Sequence, residues 1–357
     1  MTRKAEQGRL ILVAAAEATY VKQEVVELTP AGLQRIPIPP SSWDCTPFLT
    51  DPTGLRLAEE MVRRVRTLSG EIGKIFDNVV VTLPGTLESH TTVLRSTRLG
   101  IREAIDLAAE FKRLGAPQCH VFHDTECLAL GEARHGALRG ASLPAAHESF
   151  AYILVDEGVG STIFIDGKVL KGAGSAGHLG RLVVEPDGAY NKTFASRGPL
   201  EVFAARPWIS QHIVGEYLAE QGKQGAKSPS NNAFRATVAA AAEKDWSALT
   251  VRQVDMGMKS EDPIVLTVLE NAAQYLGLAV NAVITIVNPP SIVLGGAMIE
   301  QLPGFADKII SYARRFSWRL AWNRTTISIA TLGRDAQVLG AVEMLKDVLH
   351  PVGQQNT

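Results

Sequence analysis

The stretch FAYILVDEGVGSTIFIDGKVLKGAGSAGHLGR, residues 150–181, decides how the rest of the chain is read. Residues 151–155 are a short apolar run of β-forming side chains, 156–161 a turn with two glycines, and 162–169 a second strand closed by Asp166-Gly167. Together they predict a β-hairpin with an exposed glycine-rich tip. Gly158 and Gly160 can take positive φ and leave backbone N–H groups uncovered, the geometry that cradles a phosphate or another anion. A second loop of small residues, 172–180, follows at once; it carries His178, with Arg181 just beyond. Two adjacent loops of this kind suggest a site for a small ligand, although an ordinary turn and a linker would use the same glycines.

Working outward, the design recurs at the start of the chain. Ile11-Leu12-Val13 matches Ile153-Leu154-Val155, each followed by a turn and an outgoing strand, which predicts two lobes each founded on a hairpin. Residues 36–52 contain five prolines and read as a loop that holds no helix. Leu57, Met61, Val65 and Leu68 lie at helical spacing within 55–70. Residues 78–83 form a buried strand ending in Pro84-Gly85, 101–114 a helix, and 119–122 a strand. That strand delivers His123-Asp124 to its carboxyl end, where ligands of open α/β sheets sit, so Asp124 is a candidate base or hydroxyl-binding group. An Asp at the head of the helix 126–136 is also well suited to capping it.

Further on, 139–148 reads as a loop, 182–185 as a strand, 198–205 as the opening of a helix carrying Glu201, and 208–221 and 232–243 as helices around a loop at 222–230. Residues 262–287 form a long helix ended by Asn288-Pro289-Pro290. Strand 291–294 then runs into Gly295-Gly296-Ala297 and a helix over 299–316, a third loop offering bare N–H groups to a phosphate. A strand over 325–332 and a helix over 333–348 complete an alternation that predicts the α/β class.

Composition narrows the function classes. The chain has 357 residues, 36 basic against 37 acidic, 46% hydrophobic and 20% charged, with mean hydropathy near zero. A formal net charge of −1 supplies no global field toward nucleic acid or an acidic membrane, so neither is expected as a partner. Cys45, Cys119 and Cys127 are widely spaced without a CxxC, which fits a reducing cytoplasm and gives no metal signature. No early segment reads as a signal peptide, and no apolar run is expected to span a bilayer.

The order of these pieces resembles the ROK family (repressors, open reading frames and sugar kinases) from about residue 10 to 349, most specifically in VNPPSIVLGG, 287–296, and LGRDAQVLGA, 332–341. The resemblance implies a two-lobed actin-like ATPase fold. A smaller lobe would span 1–124, with a helix at about 335–349 packing back on it, and a larger lobe 125–334. Sugar and nucleotide would bind between the lobes, and a homodimer is the family expectation. Asp124 falls on the catalytic aspartate that takes the proton from the attacking hydroxyl. Gly158 and Gly160 fall on the second phosphate loop, Gly295 and Gly296 on the adenosine-side turn, and Glu201 on a glutamate following the zinc motif.

The departures from the family pattern carry equal weight. The Asp-x-Gly-Gly-Thr run of active kinases reads Ala15-Ala16-Glu17-Ala18-Thr19, of which only Thr19 survives. Glu17 about 4 Å from a phosphate would cost roughly 1–4 kcal/mol. Lys192, Phe194 and Pro199 replace zinc-binding cysteines and Arg181 the histidine ligand, so no zinc is expected. His178 replaces a sugar-binding glutamate and His123 an asparagine; with Arg181 they could bind an anion. Only residues 1–8 precede the first expected strand, so no helix-turn-helix module of the family's repressors is expected there. The expectation is a degenerate member, a pseudokinase that binds a sugar or sugar phosphate. The alternatives are an active kinase using ATP and Mg2+ with Asp124 as base, or a non-catalytic interaction subunit.

Overall fold

The computed structural model describes residues 8–38, 42–140, 149–222 and 233–350. In chain order its first elements are β1 (Arg9–Ala16), β2 (Tyr20–Thr29), β3 (Gly32–Ile36), β4 (Ser42–Asp44), α1 (Leu55–Ile72), β5 (Asn78–Leu83), β6 (Thr86–Leu87), β7 (Thr92–Arg95), β8 (Ile105–Asp106), α2 (Leu107–Arg113), β9 (Gln118–His123) and α3 (Asp124–His135). There follow β10 (Phe150–Val155), β11 (Val159–Ile165), β12 (Lys168–Val169), β13 (Tyr190–Asn191), β14 (Ser196–Arg197), α4 (Glu201–Ala204), α5 (Arg206–Gly222), α6 (Ala233–Lys244), α7 (Val251–Lys259) and α8 (Pro263–Ile286). The chain closes with β15 (Ser291–Gly295), α9 (Ala297–Gln301), α10 (Phe305–Phe316), α11 (Arg319–Trp322), β16 (Thr326–Ile329) and α12 (Asp335–Leu349).

These elements divide into two units. The first comprises residues 1–139, 172–175 and 334–357, the second 140–171 and 176–333. The first unit thus includes α3, beyond the boundary at 124 expected from the resemblance, and α12. Its main sheet runs β3-β2-β1-β5-β9, with β4 on β2; the second unit's sheet runs β12-β11-β10-β15-β16. In both, an antiparallel hairpin is extended by two parallel strands. The two hairpins inferred from ILV therefore found two sheets of the same order, and the mixed α/β class holds. Each unit has its own core: Leu12, Val25, Leu57, Val81 and Phe111 in the first, Ile153, Ile213, Leu276 and Leu294 in the second.

Several expected elements differ. The helix over 101–114 is only Leu107–Arg113, because Ile101 exchanges backbone bonds with Ser96, Ile105 pairs with Val93, and Asp106 accepts the Ala109 N–H at 2.9 Å to start the helix late. Residues 182–185 make a single bridge, Val183 to Pro199, rather than a strand. The helix over 299–316 is broken at Pro303-Gly304, where Gly304 takes φ 74°. The strand over 325–332 shortens to β16. The loop over 36–52 holds β4 and a 3-10 turn at Thr46–Phe48, and α7 has no counterpart in the sequence reading. Residues 141–148 and 223–230 of two expected loops, and Asn232 of an expected helix, lie outside the described residues. Finally, α8 is long and apolar enough to cross a membrane by length and composition, contrary to the expectation. Its Val265, Leu269, Leu276, Val280 and Ile284 are buried in the second core, as in a core helix.

Candidate functional site

In the first unit, parallel pairing aligns β1, β5 and β9 so that Ala15 sits opposite Thr82 and Leu83 opposite His123. The β1–β2 turn and the His123-Asp124 pair therefore share the carboxyl end of one sheet, which is where the sequence placed the chemistry. Ala15 and Ala16 are not part of a loop: they pair with Lys22 and Val21. The turn is Glu17-Ala18-Thr19, closed by the Glu17 N–H on Tyr20 O at 2.8 Å and pinned by the Cys45 N–H on Thr19 O at 2.9 Å.

The Glu17 carboxylate accepts the Tyr20 hydroxyl, and Arg334 donates to Glu17 Oε1 at 3.0 Å and to the Tyr20 oxygen. Burial and the hydrogen bond to Glu17 push the Tyr20 phenol up to about 12 against the pull of Arg334, so its proton stays on and the triad stays closed. The expected repulsion between an unneutralised Glu17 and a phosphate is thereby corrected: Arg334 matches the charge. What stands in place of a phosphate cradle is a turn whose first N–H is already bonded and whose cation already holds an anion.

Helix α3 begins at Asp124, and the N-cap position belongs to His123. Asp124 Oδ1 accepts the Thr125 N–H at 2.7 Å and the Thr125 hydroxyl at 3.1 Å, and lies 3.0 Å from His123 Nδ1. Burial alone would raise the Asp124 carboxyl; the charge and hydrogen bond of His123, with the Thr125 donors, outweigh it and hold the group below the ordinary carboxylate value. Burial alone would lower His123, yet Asp124 first and Glu126 after it hold the imidazole above its ordinary value. The Thr125 N–H also approaches His123 Nδ1 at 3.2 Å, but one nitrogen cannot accept there and donate to Asp124 at once. The shorter bond from Thr125 to Asp124 and the proximity of the carboxylate favour Nδ1–H donating to Asp124. The result is an ionised carboxylate at a helix start, suited to accept a proton or bind a hydroxyl.

The pair has a pH signature. Because the folded value of His123 is raised, its contribution to stability is complete below the unfolded value, about 6.5, and is lost as pH rises through the folded value. The stability difference between the native chain and His123→Gln should therefore be larger at mildly acidic than at mildly alkaline pH in denaturant titrations. A difference that grows with pH would contradict the ion pair.

In the second unit, Gly160 pairs with Leu154 inside the hairpin ladder, and neither Gly158 nor Gly160 takes the positive φ expected of them. The Val159 N–H between them donates to Glu201 Oε2 at 3.3 Å. A Cβ on Gly180 would stand 2.2 Å from Val159 O, so the loop bearing His178 and Arg181 lies backbone to backbone on β11; Ser161 Oγ fastens it to Gly177 O at 2.5 Å. The hairpin, this loop and Glu201 are thus brought together. Gly295 and Gly296 end β15 beside β10, where a Cβ on Gly296 would meet Val155 O at 2.5 Å and its φ of 99° favours glycine. The Gly296 N–H is not bare as expected: it donates to Glu300 Oε1 at 3.2 Å. At the positions of the zinc motif, the Arg181 guanidinium lies over the Phe194 ring at 5.1 Å. A cation and an apolar ring do not fit a metal.

The sequence reading missed Tyr20, Arg334 and Glu300. Tyr20 and Glu300 lie close to loops it had singled out, but Arg334 reaches Glu17 across 317 positions and no spacing rule reports such a pair.

Comparison with known proteins gives the following. The sequence model of the ROK family matches residues 53–348. A glucokinase of Halalkalibacterium halodurans is 28% identical over 235 residues, an alignment that spans 63% of this chain and 63% of that enzyme. Among solved structures, a ROK family transcriptional regulator described as a homologue of the E. coli MLC protein matches with a TM-score of 0.72 at 23% identity, over 94% of this chain and 77% of its own. A ROK family glucokinase from Streptomyces griseus, in complex with glucose and AMPPNP, matches with a TM-score of 0.70 at 20% identity, over 94% of this chain and 98% of its own.

Proposed function

Because the chain belongs to the ROK family, we propose that it is a sugar-kinase-like protein that binds a sugar or sugar phosphate and in which phosphoryl transfer is lost or strongly impaired. Asp124 is the hydroxyl-binding group in this reading, and Arg181, with His178 as a further polar group, is the candidate for an anionic substituent. Thr19, Gly158, Gly160, Gly295 and Gly296 keep the places of the nucleotide loops without their chemistry.

The observation that carries the reading is the Glu17–Tyr20–Arg334 triad. Phosphoryl transfer depends on positioned charge and donors, and the residues of the first turn do not fit nucleotide with Mg2+. Ala15 offers no carboxylate for a metal-linked water, the Glu17 N–H is bonded, and Arg334 is paired. Glu300 on the Gly296 N–H and Glu201 on the Val159 N–H extend the pattern, since each acidic side chain takes a donor that a phosphate oxygen would need. One observation favours an active kinase instead: Asp124 is held ionised by His123, as a general base requires.

Titration calorimetry with glucose, glucose 6-phosphate and MgATP, beside a coupled phosphorylation assay, separates the two. The expected result is saturable sugar or sugar-phosphate binding that weakens at least tenfold in Asp124→Asn, about 1.4 kcal/mol, with no turnover and no saturable MgATP binding. Turnover within the usual kinase range of about 1–100 s−1, abolished in Asp124→Asn, would overturn the proposal and establish the kinase.

A further inference from the structure

Residues 314–324, RRFSWRLAWNR, join α10 to α11 and lead toward β16; they hold four arginines and no lysine, aspartate or glutamate. Arg314, Arg315, Arg319 and Arg324 are all exposed. None of the four is ion-paired among the described residues, and Glu270 of α8, which faces α10, is already shared by Lys308 and Tyr312. Basic residues in the last turn of α10 answer the negative end of that helix, which accounts for Arg314 and Arg315. Arg319 lies in α11, a helix of a single turn whose end dipole is small, and Arg324 stands just beyond its C-cap Asn323, so that reason is weaker for this pair.

The apolar residues beside them are as unusual. Trp318 is 69% exposed and Leu320 59%, whereas Ala321 and Trp322 on the other side of the same short helix pack on the second core. Ile286, at the end of α8, is 81% exposed. The chain turns directly after it, and Asn288 Nδ2 donates to Ala321 O at 3.2 Å, fastening this corner to α11. Three large, strongly exposed apolar side chains and four exposed arginines thus belong to two segments that the Asn288–Ala321 bond fastens together.

We propose that this corner docks on an anionic lipid surface. Its shape and charge both favour that partner. Side chains exposed to this degree form protrusions rather than a groove, so a protein partner would need a matching cavity, whereas the interfacial layer of a bilayer accepts protruding indole and aliphatic groups of any outline. Arginine forks bind lipid phosphates bidentately. A second copy of the same face is disfavoured, since a two-fold contact would set four arginines against four. The overall charge of −1, which gave no reason to expect a membrane partner, averages this corner away.

Each basic residue near an anionic leaflet is worth about fivefold in partitioning, and the effect is screened within a Debye length. The test is co-sedimentation of the full chain with phosphatidylglycerol–phosphatidylcholine vesicles and with pure phosphatidylcholine vesicles, at low and high salt. The native chain should sediment with the anionic vesicles at low salt and be released at high salt. Arg319→Glu combined with Arg324→Glu should weaken binding more than about twentyfold, and Trp318→Ser should abolish the vesicle-induced blue shift of indole fluorescence. All of these positions are exposed, and circular dichroism would verify that the variants stay folded. Equal binding to neutral vesicles, no binding to anionic ones, or unchanged binding by the charge-reversed variant would overturn the proposal. So would retention of a polyglutamate peptide by a chain that ignores the vesicles, which would assign the corner to an acidic protein.

Discussion

Gly340→Ala is expected to lower the unfolding free energy by more than about 3 kcal/mol, among the largest effects a single methyl group can have. A Cβ at this position would stand 1.8 Å from Cys127 O, and one at Gly131 would stand 2.0 Å from Ala336 O. Helices α3 and α12 therefore meet backbone on backbone at two facing glycines, and the atoms in the way are not ends of side chains that could rotate aside. Nor can α12 withdraw easily. Gln337 donates to the buried Thr82 hydroxyl at 2.8 Å, and Arg134 joins Glu343 at 2.8 Å and Asp347 at 3.1 Å. Chemical denaturation followed by circular dichroism would measure the loss, and a value under about 1 kcal/mol would show that the crossing relaxes. Gly131→Ala should act alike, and the double variant should cost less than the sum because one separation of the helices relieves both clashes. The site is affected as well: α3 starts at Asp124, so variants that fold should lose ligand affinity before they lose secondary structure.

Arg235→Met is expected to cost about 3 kcal/mol, whereas Asp262→Asn should cost about 1. Arg235 lies in the second unit with Asp262 Oδ2 at 3.1 Å and Glu220 Oε2 at 2.6 Å. Asp262 is only 5% exposed and also caps α8, accepting the Ile264 N–H at 3.0 Å and the Val265 N–H at 3.4 Å. Removing the guanidinium strands a buried carboxylate, relieved only in part by the positive end of α8. Converting the carboxylate to an amide keeps a capping oxygen and leaves Arg235 paired with Glu220. Denaturant titrations of the two variants would test the order; a larger loss in Asp262→Asn would mean that the cap, not the ion pair, dominates.

The fold was legible where local pattern and topology agree. The two ILV hairpins, the buried strand 78–83 and the long helix after Asp262 each carry their own signal, and each stands nearly as read. Where tertiary contacts set the boundary, the pattern misled. The helical spacing of 101–114 could not reveal that Ile101 and Ile105 are drawn into bridges with Ser96 and Val93. The continuous pattern over 299–316 hid the break at Pro303-Gly304, although that dipeptide was there to be weighted more heavily. The site was legible as loops and not as contacts. The sequence identified Glu17, Gly296 and Val159 as belonging to nucleotide-type turns, yet the side chains that engage them come from Arg334, Glu300 and Glu201. Of these, only Glu300 is within a few residues of its partner. Long-range ionic pairing leaves no periodicity in a single chain, so the first turn read as uncompensated when it is neutralised.

The β1–β2 turn begins only after the last rung of its ladder, Ala16 opposite Val21. Residues 17–19 can therefore be exchanged without removing a rung of the ladder, and what such an exchange gives up locally is the set of contacts that Glu17 makes with Tyr20 and Arg334. Chemistry can erode at that turn while expression and solubility stay the same. The converse also holds, because a library randomised at these three positions should consist largely of folded proteins, which makes the turn a convenient place to vary the chemistry of the sheet's carboxyl end.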